Sequence, residues 1–269
     1  MDKTFQQYIT DKKIVKTHRV GKWSNYPEVY DRHLQKFKGT HPKILEIGNL
    51  GGGGLAMLNY VFEECEIYGL DIDDLRSYEN DFNNLKMFVG SQADQKILQK
   101  IIEETPKLDV ILDDGSHACH DQIKTFLKLF PHVADNGVYI CEDIHTSYWP
   151  NQPSGTFSQP SFIDFTKMLI DLMHLDSFFS PKTSTDHWVS DASPWDASII
   201  KENFNKEEIV YLLDYLYNIS IHNGIIVFEK KLSTPAYANA YGPGDNHVVS
   251  EVLDFRKDRD KLINLITNE

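Results

Sequence analysis

Two apolar runs that stop abruptly at ionisable side chains constrain this chain more than any other feature. Leu108-Asp-Val-Ile-Leu-Asp-Asp-Gly-Ser-His117 and Gly137-Val-Tyr-Ile-Cys-Glu-Asp-Ile-His145 each read as a buried β-strand. One ends at Asp113, Asp114 and His117, the other at Glu142 and Asp143. Open α/β sheets bind ligands beyond the C-terminal ends of their strands, so both clusters fall where chemistry is done. Carboxylates are seldom buried without a partner, and two such clusters side by side predict a shared cation beside a cofactor.

The 269 residues suffice for one large α/β domain, and the reading is a single domain over 1–269, with an N-terminal arm and helix over 1–40 and an insertion over 146–195. Hydrophobic residues at 41% and charged residues at 25% are those of a globular protein, not a disordered one. With 40 acidic against 27 basic residues, the formal charge of −13 opposes a nucleic-acid backbone, so no nucleic-acid partner is expected. Cys65, Cys119 and Cys141 form neither a CxxC pair nor an even-numbered framework, which fits a reducing cytoplasm. The opening residues lack the apolar run of a signal peptide, and no stretch approaches the ~20 apolar residues of a membrane span; a soluble intracellular protein is expected.

Along the chain, residues 1–25 read as an irregular arm, broken at Gly21-Lys22-Trp23. Tyr26 to Phe37 has helical spacing, with its tyrosines read mainly as packing. Lys43 to Gly48 is a strand entering the glycine-rich turn Asn49-Leu-Gly-Gly-Gly-Gly54, followed by a helix over 55–62, the opening unit of a nucleotide-binding α/β fold. Glu66 to Asp71 is the second strand, with Asp71 placed to accept hydrogen bonds from ribose hydroxyls. A nicotinamide dehydrogenase and an S-adenosylmethionine methyltransferase both begin this way. The strict Gly-x-Gly-x-x-Gly pattern is absent, however, and Glu46, two positions before Gly48, opposes a pyrophosphate and suits a cationic amino-acid moiety. The methyltransferase is the reading favoured.

A third strand over 85–90 ends in Ser91-Gln92-Ala93-Asp94, which borders the adenine in such a fold and also supplies caps for the helix that follows. Asp113 completes the cofactor-binding set Glu46, Gly48, Asp71, Ser91, Gln92 and Asp113. Beyond the fifth strand the alternation lapses, and an insertion carrying Tyr148, Trp149, Trp188 and Trp195 is read as a lid or substrate wall. Glu207 to Tyr217 is helical. Asn218 to Lys230 is a hairpin about a tight Asn-Gly turn, and a last helix spans 247–266.

Asp113-Asp-Gly-Ser-His117 followed by Glu142-Asp143 and Thr146-Ser-Tyr-Trp-Pro150 resembles the metal-dependent sugar O-methyltransferases of macrolide biosynthesis, the mycinamicin and tylosin type. The resemblance covers roughly residues 43–150 and the hairpin. It implies a Rossmann-like class I methyltransferase fold, a seven-stranded mostly parallel sheet closed by a C-terminal antiparallel hairpin. It also implies S-adenosyl-L-methionine and Mg²⁺ as cofactors, Asp114, Glu142 and Asp143 as metal ligands and His117 as general base. Tyr148 and Trp149 face a sugar-containing substrate in this reading, and the family often assembles into homo-oligomers. A carboxylate set of this kind favours Mg²⁺, with Mn²⁺ or Ca²⁺ also accommodated, over zinc. His120, His145 and His222 are possible helpers without an assigned role. The alternatives are a catechol-type O-methyltransferase, an enzyme methylating a phosphorus-linked oxygen, and a catalytically silent cofactor-binding module.

Overall fold

In the computed structural model the residues described are 3–14, 18–149, 160–178 and 203–232. Expectations for Trp188, Trp195, the last helix and most of the insertion lie outside them. The chain divides into two compact units, Met1–Phe165 with Tyr217–Lys231, and Thr166–Leu216 with Leu232–Glu269.

The first unit is built on one sheet. Its strands are β1 (Lys43–Ile47), β2 (Glu66–Asp71), β3 (Leu85–Val89), β4 (Leu108–Asp113), β5 (Val133–Cys141), β6 (Leu216–His222) and β7 (Ile225–Lys230), in the order β3-β2-β1-β4-β5-β7-β6. β1 to β5 run parallel, and β7 enters antiparallel beside β5. The two Val/Ile/Leu-rich central strands are the ones buried on both faces, as the unbroken apolar runs demand. The hairpin turns at Asn223-Gly224, where Gly224 takes φ +79°.

Helices α2 (Tyr26–Leu34), α3 (Gly53–Val61), α4 (Gln95–Glu104) and α5 (Cys119–Leu129) pack their apolar sides on this sheet, and α6 (Phe162–Phe178) begins in the same unit. Phe126 of α5 is fully buried among Phe130, Tyr139, Phe165 and Phe228, with ring centroids between 4.7 and 5.5 Å away. Each such pair adds about 0.5–1.5 kcal/mol beyond the area it buries. Within the second unit, the helix Lys206–Tyr215 is opened by a capping box between Asn205 and Glu208.

The N-terminal arm departs from its irregular reading. Phe5–Thr10 forms a short helix, α1, opened by a capping box in which the Thr4 hydroxyl accepts from the Gln7 amide and the Gln7 side chain accepts from the Thr4 amide. Phe5 and Tyr8 are buried, and the Phe5 and Gln6 amides donate to Asp31 of α2. The Thr-x-x-Gln spacing was the local signal for this helix.

Register fixes the site. Ile47 lies beside Asp113, and Asp113 beside Cys141, so β1, β4 and β5 end at one level. The Asp114 amide donates to Ile47 O and the Glu142 amide to Asp113 O, which carries the alignment one residue past each strand.

Candidate active site

Two residues with left-handed backbones aim the polar groups. Asp143 has φ +54° and ψ +35°, and His117 has φ +55°. Adjacent residues of a continuing strand face opposite ways, so Glu142 and Asp143 serve one site only because β5 stops at Cys141 and the chain turns at Asp143. Asp and His tolerate this conformation better than most residues, and single strained positions gather where function over-determines them.

One oxygen of each aspartate is committed and one is left over. Asp114 Oδ2 accepts from Lys22 Nζ at 2.6 Å, while its Oδ1 lies 3.9 Å from His117 Nε2. Asp143 Oδ1 is 2.7 Å from Tyr26 Oη, while its Oδ2 lies 3.6 Å from His117 Nε2. Ligand atoms of Asp114, His117 and Asp143 thus lie within 4.8 Å of one another, a donor set that fits a divalent cation. The buried His117 Nδ1 has no hydrogen-bond partner among the described residues.

Glu142 sits deeper, with no exposed surface. Both its oxygens accept from Lys22 Nζ at 3.0 Å, and Tyr30 Oη donates to Oε1. Burial, reinforced by the neighbouring Asp114 charge, pushes the Glu142 carboxyl up to about 8. Lys22 stays protonated well above its ordinary value because Glu142, Asp114 and Glu46 outweigh the burial that would depress it.

The predicted cofactor residues border this cluster. Glu46 is buried, accepts from Asn49 Nδ2 at 3.0 Å, lies 3.9 Å from Lys22 Nζ, and is pushed up to about 7 by burial. Gly48, at φ +84°, lets β1 pass the Asp114 carbonyl. Asp71 accepts from the Asn49 and Leu50 amides on Oδ2 and from the Asp73 amide on Oδ1, so it staples the glycine turn. Asp113 is fully buried between Gln92 Nε2 and Tyr139 Oη, and burial pushes it up to about 6. The Gln92 carbonyl also receives the Ser116 amide, tying the loop that carries His117 to the end of β3. Ser91 Oγ accepts from the Ala93 amide, and Asp94 caps α4.

The glycine-rich turn is expected to let the backbone come close to a ligand. A second occupant is present, since a Cβ on Gly53 would stand 2.2 Å from Arg19 O, and Arg19 forms a bridge with Gly52. These glycines admit the chain's own arm.

Sequence reasoning placed Lys22, Tyr26 and Tyr30 outside the site. Nothing local marks Lys22, and the tyrosines looked like packing because they also are packing, being almost fully buried. Trp23 and Trp149 each stand edge-on to His145 at 5.1 Å, and both stay substantially exposed, as does Tyr148. His222 pairs with His33 at 3.1 Å, and His120 lies on the surface beside Asp121. A cavity of about 330 Å³ at the opposite end of β1, lined by Lys3, His41, Phe62 and Glu64 among others, gathers no comparable chemistry.

The raised carboxyls give a pH signature. In the metal-free protein Glu142 and Glu46 bind protons more tightly than the unfolded chain does, so stability falls as pH rises toward about 7 and about 8. Between pH 6.5 and 8 the depressed His33, His132, His222 and Lys230 act in the opposite sense and offset part of this, leaving a net loss on the order of 1 kcal/mol. Thermal melts in chelator at the two pH values check this; a higher melting temperature at pH 8 refutes it.

No family model matches the chain. Demethylmacrocin O-methyltransferase of Streptomyces fradiae is 34% identical over 195 residues, 66% of this chain and 48% of that protein. Mycinamicin VI 2''-O-methyltransferase of Micromonospora griseorubida is 37% identical over 128 residues, 45% of this chain and 32% of that protein. The chain therefore spans about half or less of the length of these curated relatives. Among solved structures, the methyltransferase MycE of the mycinamycin pathway in complex with Mg and SAH superposes with TM-score 0.66 at 25% identity, over 91% of this chain and 57% of MycE. No helix among the described residues is long and apolar enough to cross a membrane. In sequence the chain is thus similar to part of these O-methyltransferases, and in fold to the methyltransferase MycE.

Proposed function

We propose that this chain transfers a methyl group from S-adenosyl-L-methionine to a hydroxyl of a sugar-containing acceptor, with His117 as general base and a divalent cation, Mg²⁺ by its oxygen ligands, held by Asp114, Asp143 and Glu142. The observation that carries this reading is the convergence of the uncommitted oxygens Asp114 Oδ1 and Asp143 Oδ2 on His117 Nε2 at the ends of two adjacent parallel strands. It agrees with the similarity to a demethylmacrocin O-methyltransferase and a mycinamicin VI 2''-O-methyltransferase, and to MycE in complex with Mg and SAH.

When bound, the cofactor supplies an electrophilic methyl group and the metal lowers the pKa of an alcohol. The chain's residues do the rest. Glu46 faces the cofactor's cationic end, the staple made by Asp71 fixes the glycine turn, and Gln92 holds Asp113 and the Ser116 amide so that His117 is carried at a fixed height. The His117 ring would take the acceptor's proton as attack proceeds. Trp149 and Tyr148, exposed beside His145, offer faces on which a sugar can stack. In the same reading residues 1–269 act as one methyltransferase domain.

Calorimetry tests this first. Wild type is expected to bind both Mg²⁺ and S-adenosylmethionine, whereas Asp114→Asn and Asp143→Asn lose the metal by at least about tenfold and keep the cofactor. Cofactor binding with no metal binding in the wild type would sink the mechanism.

A further inference from the structure

The segment from His18 to Asn25 lies across the site as a strap fastened at both ends. At one end the His18 ring packs against Tyr78 and Phe82, and Arg19 bridges Gly52. At the other, Asn25 Nδ2 donates to Asn223 O at 2.8 Å, and α2 begins. Between them Gly21 has open space where a Cβ would be, and Trp23 is 52% exposed. In the middle of the strap Val20 packs against the core, Trp23 stands edge-on to His145, and Lys22, whose side chain is 4% exposed, reaches into the site.

Lys22 uses its three protons on the carboxylates assigned here to the metal, Asp114 Oδ2 at 2.6 Å and the two Glu142 oxygens at 3.0 Å. Glu142 is fully served by this ammonium and by Tyr30. Mg²⁺ ligates oxygen at about 2.0–2.1 Å, so an ion on Glu142 would stand only a few ångströms from the ammonium, with like charges facing beside a carboxylate that is itself fully buried.

We propose that Lys22 is the built-in counter-ion of this site and that a divalent cation must displace it, so that metal binding and release of the strap 18–25 are one event. The inference rests on the metal reading above. Until metal arrives, Lys22 keeps buried carboxylates paired, which an empty acidic pocket could not do without heavy cost. Because coupling is reciprocal, whatever holds the strap down weakens the metal, and the metal loosens the strap.

Two measurements decide it. In calorimetry, Lys22→Met binds Mg²⁺ at least about tenfold tighter than wild type, since a positive charge beside the ion has gone. In limited proteolysis of the wild-type chain, trypsin releases the fragment beginning at Trp23 severalfold faster with Mg²⁺ than with chelator. This runs against the general protection that a bound ligand gives a fold. Equal or weaker Mg²⁺ binding by Lys22→Met overturns the proposal, as does a cut after Lys22 that Mg²⁺ leaves unchanged or slows. If Lys22→Met does not fold, the proteolysis of the wild type decides alone. Mg²⁺ binding to neither protein overturns the metal reading itself, and this inference with it; binding equally to both overturns only the inference.

Discussion

Replacing His117 by alanine is expected to lower methyl transfer by about 10²- to 10⁴-fold, the usual contribution of a positioned general base. The Nε2 atom lies 3.9 and 3.6 Å from the two uncommitted carboxylate oxygens, so it faces the place where an acceptor hydroxyl held between them must lose its proton. The same atom belongs to the only group of possible metal ligands among the described residues, which gives the imidazole two conceivable parts. The variant separates them. A base leaves Mg²⁺ affinity in calorimetry within a few-fold of wild type while turnover collapses, and added imidazole or a higher pH restores part of the rate. A ligand loses metal and turnover together. Turnover that survives the substitution would favour a catechol-type acceptor, whose acidic hydroxyls need less of a base.

The second large effect concerns a residue with no side chain. Gly48→Ala is expected to cost about 3–5 kcal/mol, from a left-handed backbone at φ +84° that alanine adopts with difficulty and from overpacking. Its Cβ would stand 2.1 Å from the Asp114 carbonyl oxygen and 2.8 Å from Gly115 Cα. These are backbone atoms, which cannot swing aside as a side-chain end can. Gly48 N is meanwhile bonded to Leu70 O at 2.8 Å, and Asp114 N to Ile47 O at 3.0 Å, so relief on either side breaks the sheet where the site begins. A cost of this size is a large part of the 5–15 kcal/mol that holds a typical domain together. Chemical denaturation compares the variant with Gly21→Ala, where open space and an ordinary backbone keep the change within about 0.5 kcal/mol. Near-equal stability of the two variants would refute the account.

The sequence carried the fold because its signals are local. Apolar runs of strand length mark β4 and β5, a strand entering a glycine-rich turn marks β1 and α3, and an Asn-Gly pair marks the antiparallel hairpin. Residues that end a strand are known once the strand is known, so Asp114, His117, Glu142 and Asp143 could be placed just beyond the ends of two neighbouring strands from the sequence. The capping box that opens α1 was equally local. Tertiary structure alone decided which cation those carboxylates meet. Lys22 reaches Asp114 across 92 positions and Glu142 across 120, and Tyr30 and Tyr26 come to Glu142 and Asp143 from 112 and 117 positions away. It also decided that Asp71 spends its Oδ2 on the glycine turn and that the glycines at 52 and 53 receive the arm. Periodicity and turn chemistry report what a residue's own neighbours require of it. A lysine after a glycine reads the same whether its ammonium ends in water or among buried carboxylates, because that choice is made by the burial and charge of groups far away in the chain.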